Sequence, residues 1–235
     1  MNRVARAAQA RHVANRQHAV VHRMAGLLLD YPTVELLALL PTVRSASAEL
    51  DERLRLPLLR VVDHLEAHPL AELEAEYVAT FDHRRRCALY LTYYAYGDTR
   101  KRGVALVTFK QAYRAGGFEL AEDELPDHLA VVLEFASSGG EQIWQAGIRL
   151  LLEHRAGLEL LRLALQDSGS PYAGALVAVS ATLPALEGDD REAVARLAAE
   201  GPPGEDVGLE PFAPPSYMPD PRASTPHAPL QGARR

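Results

Sequence analysis

Residues 76–135 read EYVATFDHRRRCALYLTYYAYGDTRKRGVALVTFKQAYRAGGFELAEDELPDHLAVVLEF, and their periodicity decides the fold class. Leu70, Leu73, Tyr77 and Phe81 recur at helical spacing up to Asp82, which places them on one helix face. From Arg85 a second helix is expected, with Cys87, Leu91 and Tyr94 on one face and Arg86, Tyr90 and Tyr93 on the next. Gly97-Asp98 interrupts it. Asp98 or Thr99 then caps a third helix, striped by Leu106, Phe109, Ala112 and Tyr113. Gly116-Gly117 ends it by supplying a positive-φ position. VALVTF alone also fits a strand, but the periodic region is longer than a strand and carries helix punctuation at both ends. After an acidic connector (Glu119, Glu122, Asp123, Glu124), Pro126 and Asp127 open a fourth helix with Asp127 as its cap and Leu129, Val132, Leu133 and Ala136 inward. Ten of the fifteen aromatic residues and the one Cys lie in this stretch, so large side chains with polar tips are concentrated here.

The flanks read the same way. Val20, Met24, Leu27 and Leu28 form a stripe ended by Tyr31-Pro32; Leu36, Leu37 and Leu40 form a short helix stopped at Pro41; and Pro57 opens a helix with Leu58, Val61, Val62 and Leu65 inward. Later stripes run through Trp144, Leu150 and Leu151, then Leu158, Leu161 and Leu165. Ser170-Pro171 introduces a helix through Leu176, Val179 and Leu183, and Asp189 with Glu192 stands at capping-box spacing. Nine of the sixteen prolines follow Gly201, so this part is expected to be extended or disordered. The fold class is therefore all-α: a single-domain bundle of roughly ten helices. A basic arm (1–16), disordered or a loosely held helix extension, precedes the helical domain (17–201), and a Pro-rich tail (202–235) follows it, its first half packed on the domain through Val207, Leu209 and Phe212.

Composition narrows the function. Hydrophobic residues make up 48% and charged residues 24%, as in a soluble globular protein. A single Cys excludes an internal disulfide and any Cys-based metal site and fits a reducing compartment. A net charge of -6 argues against nucleic-acid binding, which needs a basic surplus. The apolar run after the basic arm is broken by His22 and Arg23, so it does not read as a secretory signal. GALVAVSATL, from Gly174, is about half of the ~20 residues that span a bilayer. The expected location is cytoplasmic, without membrane insertion.

Candidate chemistry is sparse. His64 and His68 enclose Glu66, but the zinc-protease order is wrong and no third ligand is evident; they read as a solvated helix end, and so do His18 and His22. Asp127-His128 points its side chains about 100° apart on a helix, which does not suit work on one proton. Cys87 sits among apolar neighbours, where a thiol is inert. Arg84, Arg85 and Arg86, with Arg100, Lys101 and Arg102, either pair with the acidic connector or bind phosphates bidentately; no Gly-rich phosphate loop accompanies them. No catalytic constellation emerges.

YVATFDHRRRCALYLTYYAYGDTRKRG, followed by ALVTFK, YRAGGF and ELPDHLAVVLEF, resembles the NarJ-type molybdenum-cofactor assembly chaperones of respiratory nitrate reductase, within the TorD-like group of redox-enzyme chaperones. LLLDYPTVELLALLP and GPPGEDVGLEPF extend the resemblance over residues 18–213, with Cys87 where a small hydroxyl residue is expected. The resemblance implies a non-catalytic chaperone. It would bind the N-terminal segment of the apo nitrate reductase alpha subunit and promote molybdenum-cofactor and iron-sulfur insertion before membrane attachment. No cofactor would be tightly bound, and the molybdenum cofactor would be met transiently through the client. It also places ELPDH in the peptide-recognition region and allows Arg84, Arg85, Arg86, Arg100 and Arg102 to meet cofactor phosphates or an acidic partner. An amphipathic client helix needs a groove of large adaptable side chains, for which Tyr90, Tyr93, Tyr94, His128 and Phe135 are the candidates. The alternative is a small helical enzyme or binding module acting on a phosphorylated ligand through Arg84–Arg86.

Overall fold

Apolar stripes at helical spacing, closed by glycine and proline, produce the architecture seen in the computed structural model, which describes residues 3–121 and 124–203. Eleven α-helices occur among them: α1 (Arg3–Leu28), α2 (Val34–Ser47), α3 (Glu52–Ala67), α4 (Leu70–Tyr77), α5 (Tyr93–Tyr96), α6 (Arg100–Ala115), α7 (Leu129–Ser137), α8 (Glu141–Glu153), α9 (Arg155–Asp167), α10 (Ala173–Thr182) and α11 (Asp189–Glu200). A π-turn (Val78–Asp82) prolongs α4 to the expected Asp82. The all-α class is as the periodicity predicts. The helical backbone of α1 begins within the basic arm, and the tail beyond Pro203 lies outside the described residues.

α1 is the axis of the core. It packs against α7 on one side and α10 on another, and α10 in turn packs on α3 and α9. Val21, Met24, Ala25 and Leu28 of α1 meet the inward stripes of α3 (Leu58, Val61, Val62, Leu65) and α7 (Leu129, Val132, Leu133), all buried. Close approach is set by small residues. A Cβ on Gly26 would stand 3.3 Å from the Ala130 carbonyl oxygen, and one on Gly147 would stand 2.4 Å from Ala136 Cβ, so α7 is wedged between α1 and α8.

Several local expectations are corrected. Pro41 and Pro57 lie inside α2 and α3 instead of bounding them. Each removes one i→i−4 bond, and apolar faces buried on both sides of the proline hold the helix through it. α2 is capped by Thr33, whose hydroxyl accepts from the Leu36 N–H (3.1 Å). Gly188, not the Asp189/Glu192 pair, occupies the cap of α11. α10 starts at Ala173, after a turn in which Ala173 N donates to the Ser170 carbonyl. His22 is not solvated: it is fully buried, stacked on Trp144 and bonded to Thr182. Gly117, at φ +80°, supplies the expected left-handed residue after α6, and Phe118 N closes the end by donating to Tyr113 O (2.9 Å).

Candidate functional site

The second expected helix, Arg85 to Tyr96, does not form. A 3-10 turn (Arg85–Cys87) leads into an extended run, and α5 is a single turn. Burial alternates along the run: Cys87, Leu89 and Leu91 are buried while Ala88 and Tyr90 are half-buried, the period of a strand. Its backbone pairs with the entry to α7, where Leu91 N donates to Asp127 O (3.0 Å) and Leu129 N donates to Leu89 O (2.8 Å). This pairing satisfies polar groups that a helix would have satisfied internally. Tyr90 and His128 face each other across the resulting antiparallel bridge, with rings edge-on at 5.3 Å.

Beneath that bridge lies a buried polar knot. Asp127 is fully buried; its Oδ2 accepts from Thr92 N (3.2 Å) and Thr92 Oγ1 (2.5 Å), with Arg102 Nη2 at 3.5 Å. Arg102 also donates to Thr92 Oγ1 (3.2 Å) and Asp98 (2.8 Å), and its guanidinium stands 5.3 Å from the Tyr90 ring centre. The assignment of Asp127 as a helix cap is therefore corrected. His128 holds the cap position of α7 with no side-chain cap bond, and the Asp127 carboxylate turns inward to tie α7, α5 and α6 together. A buried carboxylate needs such a paired and hydrogen-bonded setting. Asp98 does not cap α6 either: Thr99 does, positionally, while its hydroxyl donates to Tyr96 O (2.9 Å).

Above the knot, a cleft of about 310 Å³ opens between α1 and α7. Leu27, Ala130 and Val131 contribute apolar surface; Tyr90, His128 and the exposed Leu125 close one end; Asp30, Glu124 and Glu134 bring negative charge. Arg23 spans the cleft to pair with Glu134. Glu124, Val131 and Glu134 also line a second hollow of about 260 Å³, walled by Tyr113, Phe118, Leu120, Phe135 and Glu119. The two make one groove along the outer face of α7, apolar at the floor and acidic at the rim. Burial lowers the His128 pKa against the opposing pull of Asp30 and Asp127, so its imidazole is neutral at neutral pH.

Of the expected groove residues, Tyr90 and His128 stand together in the cleft and Phe135 lines the second hollow. Tyr93 and Tyr94 belong to the core. The Tyr94 hydroxyl lies 2.7 Å from Ala88 O and 3.1 Å from Arg86 O, and its ring packs where a Cβ on Gly157 would be. The basic set divides: Arg84, Arg85 and Arg86 stand exposed on the 3-10 turn, Arg100 is exposed at the start of α6, and Arg102 enters the knot. Sequence reasoning missed Asp30, Leu125, Val131 and Glu134. The available signal was the i, i+3 pair Val131/Glu134 on the face of α7 opposite its core stripe, and an exposed Leu before Pro126. His64 pairs with Glu76 (2.6 Å), and among the described residues no group of three or more His, Cys, Asp or Glu side chains is placed to hold a metal ion. Among the same residues no helix is long and apolar enough to cross a membrane.

The sequence profile of the nitrate reductase delta subunit family matches residues 21–178, which include the knot and the groove. The chain belongs to this family. It is 38% identical over 163 residues to the nitrate reductase-like protein NarX of Mycobacterium tuberculosis, covering 69% of this chain and 24% of NarX. It is 37% identical over 112 residues to the nitrate reductase molybdenum cofactor assembly chaperone NarJ assigned in Bacillus subtilis, covering 47% of this chain and 61% of that protein. This family member thus spans less than two thirds of the length of either relative. A crystal structure of an Archaeoglobus fulgidus protein assigned to redox enzyme maturation superposes with a TM-score of 0.51 at 21% identity, over 70% of this chain and 91% of the other, and shares the fold. The resemblance to NarJ-type proteins seen in the motifs is borne out.

Proposed function

We propose that this member of the delta subunit family is a maturation chaperone. It binds the N-terminal segment of an apo nitrate reductase catalytic subunit in the cytoplasm and keeps that subunit open for molybdenum-cofactor and iron-sulfur insertion before membrane attachment. It works by binding, not catalysis, and meets the cofactor as cargo carried by the client. The observation that carries this reading is the groove along α7: an apolar floor (Leu27, Val131, Phe118, Phe135) between acidic rims (Asp30, Glu124, Glu134, Glu119) suits an amphipathic helix with basic flanks. Similarity to proteins named as nitrate reductase molybdenum cofactor assembly chaperones supports this choice of client. The alternative, an enzyme acting on a phosphorylated ligand through Arg84–Arg86, needs an enclosed pocket, whereas these arginines stand on an exposed turn.

Calorimetric titration with a synthetic peptide of the client's N-terminus tests the proposal. Binding at micromolar concentration with a negative heat-capacity change is expected, as apolar surface is buried. Tyr90→Ala and His128→Ala weaken the peptide at nearly unchanged melting temperature, whereas Tyr94→Ala costs about 3 kcal/mol or more of fold stability. Absence of peptide binding, or its loss only in variants that have also lost their fold, refutes the groove.

A further inference from the structure

α6 faces two ways. Phe109 and Tyr113 are buried, while Arg100, Val104, Val107, Gln111 and Arg114 recur at spacings of four and three residues along the opposite face. Val104 is 74% and Val107 50% exposed, unusual for a residue type that is mostly buried. Positive charge is concentrated on this helix, as it is on α1. Residues 100–115 hold five cations and no acid, in a chain of net charge -6. Arg102 is engaged with Asp98 and Asp127, which leaves Arg100, Lys101, Lys110 and Arg114 exposed around the two valines. Beside Val104 lies a hollow of about 550 Å³ walled by Tyr96, Lys101, Ala105, Thr108, Glu153 and His154. Gly103 flanks the stripe, with nothing within 4 Å of the place a Cβ would take, so a neighbouring backbone has room to come close.

We infer that the outward face of α6 is a second docking surface, which takes an acidic amphipathic helix of a protein partner and is separate from the α7 groove. Apolar side chains three residues apart, flanked by like charges, form the seam of a helix pair whose partner carries the opposite charge at its flanks. The hollow beside Val104 admits a bulky apolar side chain from that partner. A lipid surface fits less well. The large apolar side chains of α6 point inward, leaving only two valines to insert, and an extended anionic surface also meets the negative charge of the rest of the chain. A single helix sees only the local field, which is screened beyond about 8 Å at physiological salt. The two surfaces carry opposite charge, so each selects a different partner.

The test uses the full chain and a fluorescein-labelled synthetic helix with Leu at heptad positions a and d and Glu at e and g, whose like charges prevent self-pairing. Anisotropy should show saturable binding that weakens as salt is raised. Val104→Ser with Val107→Ser, and separately Lys101→Glu with Arg114→Glu, should each weaken it by about tenfold or more, since the first removes the seam and the second reverses the rim. All four positions are exposed, so circular dichroism melting should match the parent. His128→Ala, in the other surface, should bind the probe like the parent. No saturation at high micromolar concentration, or equal binding by the α6 variants, overturns the proposal. Co-sedimentation with phosphatidylglycerol vesicles that the α6 variants abolish reassigns the face to lipid, and a concentration-dependent dimer abolished by the valine pair reassigns it to a second copy; either result overturns the partner named here.

Discussion

His22 makes the stability of this fold sensitive to acid, and the size of the effect follows from its hydrogen bonds. The side chain is fully buried, with Nε2 2.8 Å from Thr182 Oγ1. That hydroxyl donates its own proton to the Val179 carbonyl (2.7 Å), so Nε2 must carry the hydrogen and donate, and Nδ1 is the bare nitrogen. Nδ1 is buried without a partner, and the ring stacks on Trp144 at 5.1 Å. Protonation would place a charge and an unmatched N–H in this setting. Burial, with a smaller contribution from His18, pushes the pKa from 6.5 down to about 3. Between these values the unfolded chain binds a proton that the folded chain refuses, so stability is full above pH 6.5 and is lost as the pH falls toward 3. At pH 4.5, two units below the unfolded value, the loss is about 3 kcal/mol. Urea unfolding of the parent and of His22→Gln, between pH 7.5 and 4.5, isolates this group from the carboxylates common to both. Gln keeps a donor near Thr182 and does not titrate, so the difference in stability between the two proteins should change by about 3 kcal/mol over that range. Parallel curves would refute the argument and show that the imidazole accepts its second proton in the folded state.

Three further outcomes test the packing. Gly174→Ala places a Cβ 2.1 Å from the Pro57 carbonyl oxygen, a backbone atom inside α3, and should cost about 2 kcal/mol or more by chemical denaturation. Gly103→Ala meets nothing within 4 Å in the exposed first turn of α6, and should raise stability by about 0.5–1 kcal/mol in the same assay. Glu159→Gln removes the charge paired with buried Arg155 (2.8 Å) and with Arg162 (2.6 Å). Arg155 already has Nε and Nη1 buried without partners, so a loss of about 3 kcal/mol is expected, measured as a fall in the urea midpoint at unchanged m-value.

Much of the scaffold was legible because helical burial is a local property. The stripe Leu58, Val61, Val62, Leu65 and the stripe Leu129, Val132, Leu133, Ala136 are each buried as their spacing implies. Gly117 ends α6 at φ +80° because no side chain is comfortable there. The site was legible in part. Tyr90 and His128 were picked out as large side chains with polar tips, but nothing local distinguishes Tyr90 from Tyr94, since both lie in the same run of tyrosines. Tyr94 is taken into the core by Gly157, which is far along the chain and leaves room for its ring.

What the sequence alone determined, then, is the all-α class, most helix faces and the family, because these follow from periodicity and ordered motifs within single segments. Tertiary structure decided the conformation of residues 85–96. Their pattern satisfies both a helical and an extended period, and residues 88–91 stay extended because Leu89 and Leu91 find backbone partners at Leu129 and Asp127, beyond the reach of any local window. It decided Asp127, which turned from a capping role to a buried partner of Thr92 and Arg102 once that pairing brought them together. It also decided the groove, whose walls come from α1, the extended run at Tyr90 and α7: a concave surface exists only where separate elements meet, and spacing within one segment carries no record of it.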